Sequence, residues 1–93
     1  MKVVWGPAAL ANLAELQDWL AKNVDPHTSV EQVERIRAAT RRLTWFPERK
    51  PVLLGDTRYT HVKRTSFVIV YRVLDQQVQI LRIRHNRENW RNG

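Results

Sequence analysis

The sequence predicts an α+β domain of order βααβββ, with two N-terminal helices packed on one face of an antiparallel sheet. Three observations predict it. Apolar residues recur at helical spacing between positions 8 and 46. They alternate at strand spacing between positions 58 and 84. The stretch 47–56, with two prolines and a glycine, separates the two patterns.

Each element has a local reason. Lys2 to Trp5 is short and β-branched, so it reads as a strand. Gly6-Pro7 stops it and opens a helix, because proline at the first helical position lacks only an N–H that would be unpaired there anyway. Ala8 to Lys22 carries Leu10, Leu13, Leu16 and Leu20 as its apolar stripe, with Trp19 at the edge, and Asn23 stops it. Asp25-Pro26 opens a second helix, and Thr28 to Glu31 offers a later capping box. Val30, Val33, Ile36, Thr40 and Leu43 form its stripe, and the helix is expected to run to about Phe46, before Pro47. Residues 47–56 read as a loop. Three strands follow at Arg58–Lys63, Phe67–Leu74 and Val78–Arg84, the last two joined by a turn at Asp75-Gln76.

Ninety-three residues make one domain, 1–93, with a modest core. There is no cysteine, which rules out disulfides and thiolate metal sites and fits a cytoplasmic protein. No segment reads as a signal peptide or a membrane span. The net charge is +7, and it is unevenly spread. Residues 1–56 hold eight Lys/Arg and seven Asp/Glu, whereas residues 57–93 hold eight Lys/Arg and two acids. The excess positive charge therefore falls on the strand-forming half, and it points to an anionic partner there. A membrane surface is disfavoured, because the cations lie on strands and not along an amphipathic helix.

Alternation decides which cations share a face. In the middle strand Phe67, Ile69, Tyr71 and Val73 share one face, and Val68, Val70 and Arg72 the other. In the last strand strict alternation puts Leu81 with Ile83, and Arg82 and Arg84 with Val78 and Ile80. Packing Phe67, Ile69, Tyr71, Leu81 and Ile83 against the helices leaves Arg72, Arg82 and Arg84 on the helix-free face. Three guanidinium groups on one small face repel each other until an anion is met. The alternative is that their stems cover apolar sheet and their heads are solvated.

Other constellations carry less. His27, His61 and His85 have no metal-ligand spacing, so no metal site is expected. His27 and His61 read as solvated residues, and Tyr59 as a hairpin packing residue with base stacking as the alternative. Gly6, Gly55 and Gly93 are too scattered for a phosphate loop, and neither Ser29 nor Ser66 has a base partner for nucleophilic catalysis. Trp5, Trp19 and Trp45 are expected in the core or at its rim. No cofactor is expected.

Three segments resemble the RelE/ParE superfamily of toxins from type II toxin–antitoxin modules. VVWGPAALANLAELQDWLA (residues 3–21) is similar to the family's first strand and helix. VEQVERIRAATRRLTWFPER (residues 30–49) is similar to its second helix with the Phe-Pro ending. SFVIVYRVLDQQVQILRIRHNREN (residues 66–89) resembles its hairpin and tail. The resemblance implies a RelE/ParE-like fold, a cytoplasmic location, and a cognate antitoxin protein that silences the toxin.

Two mechanisms lie within the resemblance. RelE-like members cleave mRNA on the ribosome without a metal. That chemistry needs a proton shuttle and fixed cations round one phosphate. His85 would supply the proton transfer, and Arg82, Arg84, Lys63 and Arg87 the cations. Two departures stand against it: Val68 occupies the place of an arginine that RelE-type nucleases carry, and Trp90 replaces a tail tyrosine. His85 also has a packing role open to it. ParE-like members poison DNA gyrase through protein contacts and need no catalytic set. The WGPAAL, FPER and IRHNRENW segments are more similar to this branch. Arg72, Arg82, Arg84, Arg87, Trp90 and Arg91 would then be the target-binding residues, since Trp and Arg dominate binding hot spots. A third reading is a harmless nucleic-acid-binding accessory protein.

Overall fold

The computed structural model describes residues 1–86. Arg87, Trp90 and Arg91 lie outside the described residues. The elements run β1 (Lys2–Trp5), α1 (Pro7–Asn23), α2 (Pro26–Arg42), a 3-10 turn (Pro47–Arg49), β2 (Val52–Leu54), β3 (Thr57–His61), β4 (Phe67–Leu74) and β5 (Gln77–His85). The strands form one sheet in the order β1-β5-β4-β3-β2. Both helices cover one face of it, as expected. The sheet is mixed and not wholly antiparallel, because β1 pairs parallel with β5. The two helices supply the long crossover that a parallel neighbour requires.

Pro7 opens α1, and the N–H of Gly6 donates to the carbonyl of Ile80 at 2.9 Å. A Cβ on Gly6 would stand 3.2 Å from that same backbone oxygen, so any larger residue here must push the chain and β5 apart by a few tenths of an ångström. The buried stripe of α1 is Ala9, Leu13, Leu16 and Leu20, and Leu10 is exposed. The helix start thus buries the Ala9 methyl and turns Leu10 to the outside.

In α2 the Asp25 carboxylate accepts from the backbone N–H of Thr28 at 3.0 Å and from its hydroxyl at 2.6 Å. That places the start at Pro26 and leaves the later capping box unused. Val33, Ile36 and Thr40 face inward, followed by Leu43, while Val30 is exposed. The helix ends at Arg42, four residues before the expected stop. Thr44 and Trp45 donate to carbonyls three residues back, a tightening that precedes the extended residue before Pro47. Trp45 is thereby turned out of the core and is 71% exposed, against the expectation of core or rim.

Two sheet features differ from the sequence reading. Val52–Leu54 is a short edge strand, not loop. Its turn uses Gly55 at φ +57°, a conformation suited to glycine. The second difference is a bulge in β5. Tyr71 stands opposite Ile80, and Val70 stands opposite Arg82, so Leu81 has no partner on β4. Val78 and Ile80 therefore face the helices and are fully buried, whereas strict alternation had put them on the arginine face. Ile83 also faces the helices, and Leu81 is only half-buried.

The main core joins Leu13, Leu16, Leu20, Val33, Ile36 and Leu43 to Phe67, Ile69, Tyr71, Val78, Ile80 and Ile83. Each fully buried Leu or Ile contributes roughly 2 kcal/mol relative to exposure. Tyr71 is the largest fully buried side chain, and its hydroxyl donates to the carbonyl of Pro47, tying the chain after α2 to the sheet centre.

Burial pushes the Tyr71 phenol up to about 12. Its unfolded value is about 10, so its neutral form is favoured by folding. That stability is complete below about pH 10 and is lost as pH rises towards 12. Tyr71→Phe leaves the Pro47 carbonyl without this donor. It is expected to cost about 1–2 kcal/mol in denaturant unfolding at neutral pH. The same titration repeated above pH ~10 is expected to show a shallower alkaline loss in the variant than in the parent.

Candidate functional site

The helix-free face is built from three cross-strand rows. His61 stands opposite Val68, which stands opposite Arg84. Tyr59 stands opposite Val70, which stands opposite Arg82. Thr57 stands opposite Arg72, which stands opposite Gln79. Partners directly across a ladder point to the same side, so each row is one strip of surface. Val68 and Val70 are buried and pack with Leu53 and Tyr59 in a cluster separate from the main core. None of the nine row positions is a carboxylate.

All three arginines predicted to share this face do so. Arg82 is exposed, while Arg84 and Arg72 are half-buried. Arg82 and Arg84 are two residues apart on β5, a rise of about 7 Å. The Arg72 Nε donates to the Gln79 side-chain oxygen at 2.9 Å, which fixes its guanidinium one row away. Tyr59 meets His61 edge-on, with ring centroids 6.0 Å apart. The face thus offers an apolar centre, a Tyr–His corner and an arginine border. Tyr59 and His61 were read as packing and solvated residues, but the period of β3 brings them beside the arginines.

His85 lies elsewhere. It stands opposite Phe67, whose side chain belongs to the helix-side core. Its imidazole meets Phe67 edge-on at 5.2 Å and Trp19 of α1 at 5.4 Å. Asn12, Glu15, Trp19, Phe67 and His85 line a cavity of about 410 Å³ there, and Arg84 reaches its rim at the strand end. The Asn12 side-chain oxygen accepts from the N–H of Ile83 at 3.1 Å, which anchors α1 to β5 beside this cavity. Along one extended strand the side chains of Arg84 and His85 leave on opposite faces.

Lys63 is in neither group. It is exposed on the β3–β4 loop and borders a cavity shared with Arg42, Trp45 and Phe46 at the end of α2. The structure therefore brings together Arg72, Arg82 and Arg84, sets Arg72 and Arg82 on the face opposite His85, leaves Arg84 also bordering the His85 cavity, and keeps Lys63 apart from both groups. His27 is exposed on the first turn of α2, 3.7 Å from Glu31. Among the described residues no three His, Cys, Asp or Glu side chains are grouped to hold a metal ion. No helix of the described residues is long and apolar enough to cross a membrane.

Comparison with known proteins adds three findings. A family model described as the ParE toxin of type II toxin-antitoxin system, parDE, matches residues 3–90. The chain is 33% identical over 84 residues to Toxin RelE2 of Caulobacter vibrioides, a match spanning 90% of this chain and 93% of that protein. Its fold is similar to a chain of the chromosomal ParDE TA system from P. aeruginosa, with a TM-score of 0.82 over 91% of this chain and 95% of that one, at 24% identity.

The two sides of β5 predict different responses to substitution. His85→Ala removes two edge-on ring contacts and is expected to cost about 1–3 kcal/mol of folding stability. Arg82→Gln alters an exposed head and is expected to stay within about 0.5 kcal/mol of the parent. Urea titrations of the two variants measure both.

Proposed function

We propose that this chain, which belongs to the ParE toxin family of type II toxin–antitoxin systems, stops growth by poisoning DNA gyrase through protein contacts in the cytoplasm. A cognate antitoxin protein would neutralise it. The helix-free face is the gripping surface in this reading: Arg82 and Arg84 supply charge, and Tyr59 with the Val68–Val70 centre supplies apolar contact. Arg72 is held in place by Gln79. Arg87, Trp90 and Arg91 extend the same proposal to the C-terminal tail.

One observation carries the choice of mechanism. A metal-independent ribonuclease needs its proton shuttle and its phosphate-binding cations within hydrogen-bond reach of one phosphodiester. Here His85 packs between Trp19 and Phe67 on the helix side, Arg72 and Arg82 lie on the opposite face, and only Arg84 borders the His85 cavity among these cations. A contact surface makes no such demand. Its rows place arginines beside aromatic and apolar groups, the composition on which binding hot spots depend.

The test uses the purified chain in two assays: gyrase supercoiling of plasmid DNA, and mRNA integrity in a translating extract. The expected result is inhibited supercoiling with intact mRNA. Arg82→Glu combined with Arg84→Glu is expected to weaken that inhibition at least tenfold, and His85→Gln to leave it within about threefold once the variant is shown to be folded. Cleaved mRNA that becomes intact with His85→Gln would select the ribonuclease reading. Neither effect, with harmless expression of the chain alone, would select the accessory protein.

A further inference from the structure

The charge of this molecule is not confined to the open face of the sheet. A second cationic region lies where the end of α2 meets the β3–β4 loop. Arg42, Trp45, Phe46, Arg49, Lys50 and Lys63 line a cavity of about 300 Å³ there, with Thr60 and His61 at its sheet side. A smaller cavity of about 150 Å³ shares Arg42 and Lys63 and continues to Arg35 and Arg64. Neither lining includes a carboxylate. The nearby acids are Glu31, already paired with Arg35, and Glu48, exposed on the 3-10 turn. These cations come from three separate parts of the chain, α2, the 3-10 turn and the β3–β4 loop, and folding brings them to one groove. Their mutual repulsion opposes that arrangement, and an anion in the groove relieves it.

The aromatic residues narrow the class of anion. Trp45 is 71% exposed and Phe46 is 61% exposed, side by side at the groove. The Arg49 guanidinium lies 4.1 Å from the Phe46 ring centroid, which holds both groups against the 3-10 turn. Water-facing aromatic planes beside phosphate-binding cations are the platform on which unpaired bases stack. A duplex hides its base faces in its own stack, and a polyacidic peptide offers no flat ring to set against the planes.

We propose that this groove binds a segment of single-stranded nucleic acid. Trp45 stacks a base, and Arg42, Arg49, Lys50 and Lys63 hold the adjoining phosphates. Arg64 and Arg35 extend the path along the smaller cavity. This groove meets the Arg72–Arg82–Arg84 face only at His61, and its own cations and aromatic residues do not depend on what that face grips.

The experiment is an anisotropy titration of a labelled twelve-nucleotide oligothymidylate with the full chain at several salt concentrations. Polyglutamate and a duplex of the same length serve as competitors. Trp45→Ala is expected to weaken binding about tenfold, and Trp45→Phe to restore most of it. Lys63→Gln and Arg42→Gln are each expected to reduce the salt slope by about 0.7. Arg37→Gln, an exposed α2 residue outside both cavities, is expected to leave the affinity within about twofold. Circular dichroism checks that each variant is folded. The proposal is overturned if Trp45→Ala binds as tightly as the parent, or if Arg37→Gln loses as much as Lys63→Gln. It is also overturned if the duplex binds more tightly than the single strand, or if polyglutamate competes as well as the oligothymidylate.

Discussion

One unpaired residue organises this molecule. Leu81 interrupts the ladder between β4 and β5, and every residue after it changes face relative to those before it. Val78 and Ile80 reach the helices ahead of the bulge, and Ile83 reaches them beyond it. With Leu81 paired in a regular ladder, the period of two would carry Arg82 and Arg84 into the core behind Val78 and Ile80. Burying an unpaired guanidinium costs several kcal/mol, more than any one apolar contact in this core returns. The same bulge thus seals the apolar side and leaves the arginines free to line the other.

The remaining elements hold that arrangement in place. Gly6 lets the chain approach Ile80, so β1 and the start of α1 lie against β5. Asn12 bonds Ile83 just past the bulge, and Tyr71 bonds Pro47 from the sheet centre. The first two bonds fix the start of α1 to β5, which carries Arg82 and Arg84, and the third fixes the chain after α2 to β4. Two basic surfaces result. One is the three-row face with its apolar centre, and the other is the groove between α2 and the β3–β4 loop. Positive charge on both makes each a surface that favours an anionic macromolecule.

Much of this was legible in the sequence, and what was missed has physical causes. The two helices were legible because their stripes are long and their starts carry Pro7 and Asp25. The β4 strand was legible to the residue, since Ser66 and Asp75 bracket a run of eight strand-forming side chains. The arginine face was also legible, because Arg72 follows Val68 and Val70 at strand period. The bulge was not. Val78 to Arg84 contains apolar residues in both parities, and only pairing with β4 decides between them. The short β2 strand was obscured by its neighbouring prolines, although Leu54-Gly55-Asp56-Thr57 is a hairpin signal. The separation of His85 from Arg82 needed only alternation, but their closeness in sequence suggested closeness in space. The α2-end groove joins residues from distant parts of the chain, and no local pattern announces it.

The central claim is that Leu81 is the extra residue of β5, and that the bulge it makes sets which side chains meet the helices. Deleting Leu81 tests it most directly, followed by urea unfolding monitored through tryptophan fluorescence and circular dichroism. The account predicts a cooperative transition with a midpoint near the parent's, because removing the extra residue makes the ladder regular and strict alternation then keeps Val78, Ile80 and Ile83 on the helix side and Arg82 and Arg84 on the other. A deletion variant with no cooperative transition, or with a midpoint far below the parent's, would contradict it.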